Sequence, residues 1–70
     1  MEVYIVKVFG ENKDQLMDKV ADSPEIAKKC FDVDPDEIGL EKNNSGIWWG
    51  QHDRYTYIIK EREVLTEDDF

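Results

Sequence analysis

The sequence has few of the features that mark secreted or membrane proteins. Its only cysteine, Cys30, cannot form an internal disulfide. No segment approaches the roughly 18 apolar residues of a membrane span, and no basic segment followed by an apolar one stands near the first residue. We therefore expect a cytoplasmic protein with no membrane contact, in which Cys30 packs as a small apolar side chain.

Residues that could support catalysis or bind a metal are equally scarce. None of the nucleophilic side chains is accompanied by a recognisable base, and there is no glycine-rich phosphate loop. His52 is the only histidine, with no second metal ligand at a suitable spacing. Asp32, Asp34 and Asp36 alternate as in the first half of a calcium loop. The second half is missing, because Glu37 stands where such a loop needs glycine. We expect no enzyme activity, no cofactor and no metal.

Basic residues are also few. The chain has 9 Lys and Arg against 17 Asp and Glu, a formal net charge of -8. A DNA duplex gains most of its sequence-independent affinity from cations that neutralise phosphates, so acidic residues that face it would repel it. A domain of 70 residues buries only about 60% of its unfolded surface and is marginally stable. Size and charge therefore favour a small domain that is stabilised by a protein partner or as a homodimer.

The two ends of the chain predict strands. Residues 3–9 are rich in β-branched and aromatic side chains, and both faces of this strand are apolar, which is typical of a central or covered strand. Residues 10–14 supply turn chemistry of hairpin length. Residues 15–21 fit a strand or a helix, and we favour the strand. Residues 54–65 alternate in the manner of a long closing strand.

The middle of the chain predicts two short helices joined by a tight turn. Ser23 is a good N-cap, and Pro24 suits the first helical position because it lacks a donor that would be unpaired there. Asp34 is followed in the same way by Pro35, with Glu37 placed for a reciprocal capping box. The second helix is expected to continue beyond the weak position at glycine 39 and to end at residues 43–46.

These elements predict an α+β fold in one small domain. The expected order is strand, strand, helix, helix, strand, with an antiparallel sheet and a short helix pair. The domain is expected to span residues 1–66. Residues 67–70 are expected to form a frayed acidic tail.

Several residues of the helix pair and the closing strand carry a resemblance to a known group of proteins. They are Glu25, Ile26, Ala27, Lys28, Val33, Asp34, Pro35 and Ile38, followed by the strand at residues 55–60. This pattern resembles the helix-turn-helix modules appended to homing endonucleases, and small phage and bacterial proteins in which a hairpin precedes a helix pair of the form xEIAKxxxVxxxxI. The resemblance implies an α+β fold whose second helix reads a DNA groove.

The charge of the second helix departs from that of a groove reader. The helix is expected to expose Asp36, Glu37 and Glu41 on the side that would approach phosphates. The turn before it also differs, because Phe31 and Asp32 stand where a glycine is usual. Carboxylates fixed in this way suit a surface that competes with nucleic acid for a basic cleft in another protein.

Trp48 and Trp49 are adjacent in an extended segment, so their side chains point to opposite sides. A core of this size does not accommodate both indoles, and one is expected to face outward. An exposed tryptophan can anchor a protein interface or stack on an unpaired base. In the other interpretation Trp48 fills the core and Trp49 folds back over the hairpin. Both interpretations stay open from the sequence.

The sequence therefore predicts a small acidic protein-binding module. In its most specific form it is a phage-encoded inhibitor of a host nucleic-acid-handling defence enzyme, such as a CRISPR effector, that acts in the host cytoplasm by mimicking nucleic acid. Its partner is expected to have a basic surface, and nucleic acid itself is not expected as a partner. The residues expected to bind the partner are Asp34, Asp36, Glu37, Glu41, Trp48 and Trp49.

Two alternative functions stay open. The first is a divergent helix-turn-helix protein that binds nucleic acid despite its overall charge, using Lys28, Lys29, Lys42 and Arg54. The second is a structural or assembly subunit, which would bury the second apolar face of the first strand against another chain.

Overall fold

The structure, a computed structural model, describes residues 1–69, which form a five-stranded antiparallel sheet and two short helices. The strands lie in the order β2-β1-β5-β4-β3. A single 3-10 turn, Glu67–Asp69, follows the last strand. The elements are β1 (Glu2–Phe9), β2 (Gln15–Ala21), α1 (Pro24–Lys29), α2 (Pro35–Ile38), β3 (Glu41–Lys42), β4 (Ile47–His52) and β5 (Tyr55–Glu63).

The predicted α+β class and antiparallel sheet are confirmed, and the ambiguous segment at residues 15–21 is the strand β2. The predicted order of elements is wrong after the helices, where the chain forms three strands instead of one. Strands β3 and β4 were missed. Of the tail predicted at residues 67–70, the first three residues form the 3-10 turn, and Phe70 lies outside the described residues.

The missed strands come from a turn that resembles a helix end in sequence. Asn43 Oδ1 accepts hydrogen bonds from the backbone N–H of Ser45 at 2.9 Å and of Ile47 at 3.1 Å. Gly46 then adopts a left-handed φ of 79°, which glycine does at no steric cost. This turn joins β3 to β4 as a hairpin. The helix α2 had already ended at Gly39, which caps it with a left-handed φ of 68°.

Both helices begin where the sequence predicts. Ser23 Oγ accepts from the backbone N–H of Ile26 at 3.2 Å, and Asp34 Oδ1 accepts from that of Asp36 at 3.0 Å. The bond to Asp36 joins the cap to the second helical residue, so the predicted capping box with Glu37 is not the arrangement that forms. The caps satisfy backbone donors that a helix start leaves unpaired.

The hydrophobic core lies between the helices and one face of the sheet. Phe31 stacks edge-on against Tyr57, with ring centroids 5.0 Å apart. Cys30 is partly buried and packs against this core, as expected for a small apolar side chain. The buried side chains of the core are Val6, Val8, Ala21, Ala27, Phe31, Ile38, Tyr57 and Ile59.

The opposite face of the sheet is not covered by α1 or α2, and we call it the open face. Directly paired residues of an antiparallel sheet share a face, so the register assigns its members. The exposed fraction reaches 65% at Val20 and 48% at Trp49. Its members are Val3, Ile5, Lys7, Phe9, Asp18, Val20, Glu41, Ile47, Trp49, Gln51, Thr56, Ile58, Lys60 and Arg62.

Candidate functional site

The two tryptophans lie on opposite faces of β4. Trp48 faces the helices and contacts Tyr4 edge-on, with ring centroids 6.1 Å apart. Lys42 Nζ lies 4.7 Å from the centre of the Trp48 ring, a cation–π contact. Trp49 lies on the open face, directly opposite Glu41. Trp49 is therefore the exposed indole, and Trp48 is held by intramolecular contacts on the other side of the sheet.

The helix α2 packs on β4 through a close approach of backbones. Gly50 is buried, and a Cβ placed there would lie 2.6 Å from Ile38 Cγ2 and 2.8 Å from the Ile38 carbonyl oxygen. Only glycine allows this approach. The contact holds α2 beside β4, and the chain then passes directly from α2 into the edge strand β3.

This packing brings most of the predicted partner-binding residues to one edge of the sheet. The helix side of the edge carries the exposed Asp34, Asp36 and Glu37, and the open face carries Glu41 beside Trp49. Trp48 is not part of this group, because Tyr4 and Lys42 hold its ring within the domain. We call the following residues the acidic edge: Asp34, Asp36, Glu37, Glu41 and Trp49.

The carboxylates of the acidic edge are not neutralised within the described chain. Among residues 1–69, no Lys or Arg side-chain nitrogen lies within 4.0 Å of their carboxylate oxygens. The nearby Lys42 instead contacts Glu61 at 4.0 Å and the Trp48 ring. Asp34 caps α2 through its side chain, whereas the side chains of Asp36, Glu37 and Glu41 form no ion pair or hydrogen bond among residues 1–69. Their negative charge is available to a partner.

A second group of carboxylates lies on the helix side of the sheet, around Tyr4. The pKa of Glu2 is raised by a side-chain hydrogen bond with Glu61 and by the repulsion between the two carboxyl groups. The pKa of Tyr4 is raised by partial burial and by the neighbouring charges of Glu61, Glu2 and Glu25. Negative charge is therefore concentrated around Tyr4, and Glu61 of this group contacts Lys42, the residue next to Glu41.

The crowding predicts a small gain in stability when one charge is removed. A carboxyl group whose pKa is raised in the folded state binds more protons folded than unfolded, so stability falls as pH rises above the ordinary value of 4.5. We expect Glu2→Gln to raise the thermal midpoint at pH 7 and to lose this advantage below pH 4.5.

Thermal denaturation at both pH values, at low and high salt, measures the effect of Glu2→Gln. Salt is expected to reduce it, because both groups are near solvent. Glu67→Gln removes the same charge from the tail and serves as the control. A Glu2→Gln midpoint at pH 7 equal to or below that of the wild type would contradict this account of the Glu2–Glu61 pair.

A shallow groove of about 380 Å³ lies on the helix side of the sheet, between β2 and the β4–β5 hairpin. Its walls are mostly apolar, and His52 and Asp53 border it with Asp32. Burial, and secondarily the charge of Asp32, raises the pKa of Tyr57, which lines the same groove. Within the described residues, no three His, Cys, Asp or Glu side chains converge in a way that could hold a metal ion.

The four cations proposed for nucleic-acid binding do not form one surface. Lys28 and Lys29 belong to α1, whereas Lys42 is held against Trp48. Arg54 lies at the turn between β4 and β5 and contacts Glu11 at 3.6 Å. The structure thus distributes these side chains over three regions.

A different set of cations could not be recognised from the sequence. Lys7, Lys60 and Arg62 share the open face and belong to its two central strands, β1 and β5. The alternation of both strands was visible in the sequence, but the pairing that places them side by side was not. No partner role was assigned to them for that reason.

Comparison with known proteins identifies no relative. No protein-family model, curated protein or solved structure matches this chain. The resemblance to homing-endonuclease modules therefore stays a prediction.

The longer helix, α1, has six residues, and no helix in the described part of the chain has the length and apolar character needed to cross a membrane.

Proposed function

We propose that this protein is an acidic protein-binding module, not an enzyme, and that its acidic edge docks onto a basic surface of another protein. The observation that carries the proposal is a set of exposed carboxylates without ion pairs on both sides of one sheet edge, where the exposed Trp49 is paired with Glu41. Interfaces are commonly anchored by a large aromatic side chain. Charged groups around such an anchor steer association and select a partner of opposite charge.

The chemistry of the edge favours a partner whose basic surface binds nucleic acid. Carboxylates fixed on a short capped helix present negative charge at defined positions, as phosphates do, and a surface rich in Lys and Arg attracts either. A module bound there excludes nucleic acid and acts as an inhibitor. That the partner is a defence enzyme, and that the chain comes from a phage, stay predictions from the sequence.

The proposal is tested by charge reversal at the edge. Tagged wild-type protein is used to capture partners from a nuclease-treated lysate, and the bound proteins are quantified by mass spectrometry. We expect Asp36→Lys/Glu37→Lys to reduce retention of the basic partner by about tenfold or more, since close charge pairs at interfaces are worth at least 1.4 kcal/mol in many cases. Asp34 is left unchanged because it caps α2.

A second pair of variants separates binding from helix stability. Asp36 and Glu37 lie in the first turn of α2, where acidic residues stabilise a helix, so thermal denaturation must show that the double variant folds. Glu41→Lys reverses one charge of the edge on β3, outside the helix. Glu63→Lys makes the same change at the far end of β5. Equal retention by these two single variants would refute the proposed site.

A further inference from the structure

The charge of this chain is not spread evenly over its surface. Lys7, Lys60 and Arg62 lie on the open face, and Lys13 and Arg54 line a depression of about 480 Å³ beside Phe9 at one end of that face. These are five of the chain's 9 Lys and Arg. The carboxylates on this face and in this depression are three of 17: Glu11, Asp18 and Glu41.

The open face is therefore locally positive on a protein of net charge -8. Its cations follow the neighbouring strands β1 and β5, while Asp18, which is paired with Lys7, and Glu41 belong to the outer strands β2 and β3. Neighbouring strands are about 5 Å apart, so the positive strip is about 10 Å wide. Lys60 and Arg62, two residues apart on one strand, are separated by about 7 Å along it.

Aromatic side chains border this strip. Phe9 is partly exposed on β1 at the depression, and Trp49 is exposed on β4, two strands away in the sheet order. Aromatic rings on a sheet surface, interleaved with cations, provide stacking platforms for unpaired bases and contacts for the phosphates between them.

We propose that the open face binds single-stranded nucleic acid, with bases stacked on Phe9 and Trp49 and phosphates along Lys7, Lys60 and Arg62. The acidic outer strands favour a single strand over a duplex, because the second backbone of a duplex would extend beyond the strip toward Asp18 and Glu41. The acidic outer strands also disfavour an anionic membrane, because a flat membrane would contact the whole face, including Asp18 and Glu41. A second copy of the chain is disfavoured because facing sheets would bring the central cations together.

This function goes beyond the proposed docking of the acidic edge and uses a different set of charges. The variant Asp36→Lys/Glu37→Lys is expected to bind single-stranded nucleic acid as the wild type does. The lysine variants of the open face, in turn, leave the carboxylates of the acidic edge unchanged. Trp49 belongs to both surfaces, so the charge variants, and not Trp49→Ala, distinguish failure of one proposal from failure of the other.

Fluorescence anisotropy of a labelled oligothymidine of about 16 nucleotides, the upper end of the length one small domain covers, tests the proposal at low ionic strength. Binding by the wild type is expected to weaken with salt, with a slope of about -2 in a log–log plot for three phosphate contacts. We expect Lys7→Glu/Lys60→Glu to weaken binding by about tenfold or more. Lys19→Glu/Lys29→Glu changes the net charge equally on the helix side and is the matched control.

Trp49→Ala leaves the charge unchanged and is expected to weaken binding by about fivefold or more, as for a lost base stack. This variant keeps the test decisive if the lysine double variant does not fold. The proposal would be overturned if the wild type did not bind the oligothymidine, or if both lysine double variants lost the same amount of affinity for it. Tighter binding to the matched duplex or to phosphatidylserine-containing vesicles would also overturn it, as would a dimer that the open-face lysine reversals dissociate.

Discussion

Gly50→Ala is expected to destabilise this protein by about 2–3 kcal/mol, at the upper end of the usual cost of overpacking. The new Cβ would meet Ile38 Cγ2 at 2.6 Å, the Ile38 carbonyl oxygen at 2.8 Å and the Leu40 N atom at 3.3 Å. Two of these are backbone atoms, so rotation of a side chain cannot relieve the contact. Either α2 moves away from β4 or the strand bends.

A loss of this size is a large fraction of the stability of a small domain, which amounts to about 0.05–0.15 kcal/mol per residue. The thermal midpoint is expected to fall by about 10–20 °C. Gly10→Ala is the matched control, because a Cβ there would meet mainly the flexible end of Leu16, with its Cδ1 at 3.3 Å. Equal midpoints for the two variants would contradict the close packing of α2 on β4.

Ile59→Ala is expected to cost about 3 kcal/mol, within the range for truncation of a fully buried isoleucine. Ile59 is completely buried and pairs with Val6 in the centre of the sheet. The loss combines the hydrophobic energy of the removed atoms with the cavity that remains, since the surrounding sheet relaxes only in part.

The neighbouring residue provides a control with the same chemistry. Ile58 precedes Ile59 on β5 but lies on the open face, between Lys7 and Trp49 in the sheet. We expect Ile58→Ala to cost about 1 kcal/mol or less, mainly through lower strand propensity. Urea denaturation of both variants in dilute solution measures the difference. An equal cost would mean that the face we describe as open is buried in the protein as it exists in solution.

The sequence predicted the parts of the fold that depend on local chemistry. Ser23 and Asp34, each followed by proline, mark the two helix starts, and the β-branched and aromatic residues of β1 and β5 mark their strands. These signals act within a few residues of chain. They correctly indicated an α+β fold with an antiparallel sheet.

The missed strands depend on contacts between distant residues. In β4, Gly50 has low strand propensity, and the strand forms because it pairs with β5 and accommodates Ile38 over Gly50. In β3 only two residues pair, and the turn that positions them has the composition of a helix end. Tertiary pairing overrode the local signal in both cases.

The candidate site was predicted only in part for the same reason. The acidic residues of α2 and an exposed tryptophan were predicted from sequence, but which tryptophan faces outward depends on the register of β4 against β5. A shift of one residue would exchange the faces of Trp48 and Trp49. The positive strip of the open face likewise requires β1 and β5 to be neighbours, which net charge alone could not indicate.

The most direct test of the central claim, that the acidic edge is the protein-binding surface, is the amount of basic partner retained after nuclease treatment. The decisive quantity is the amount of partner retained by Asp36→Lys/Glu37→Lys divided by the amount retained by the wild type. Glu63→Lys is the control. We predict a ratio of about one tenth or lower, and retention by Glu63→Lys close to that of the wild type. Equal retention by the folded edge variant and the wild type would contradict the claim.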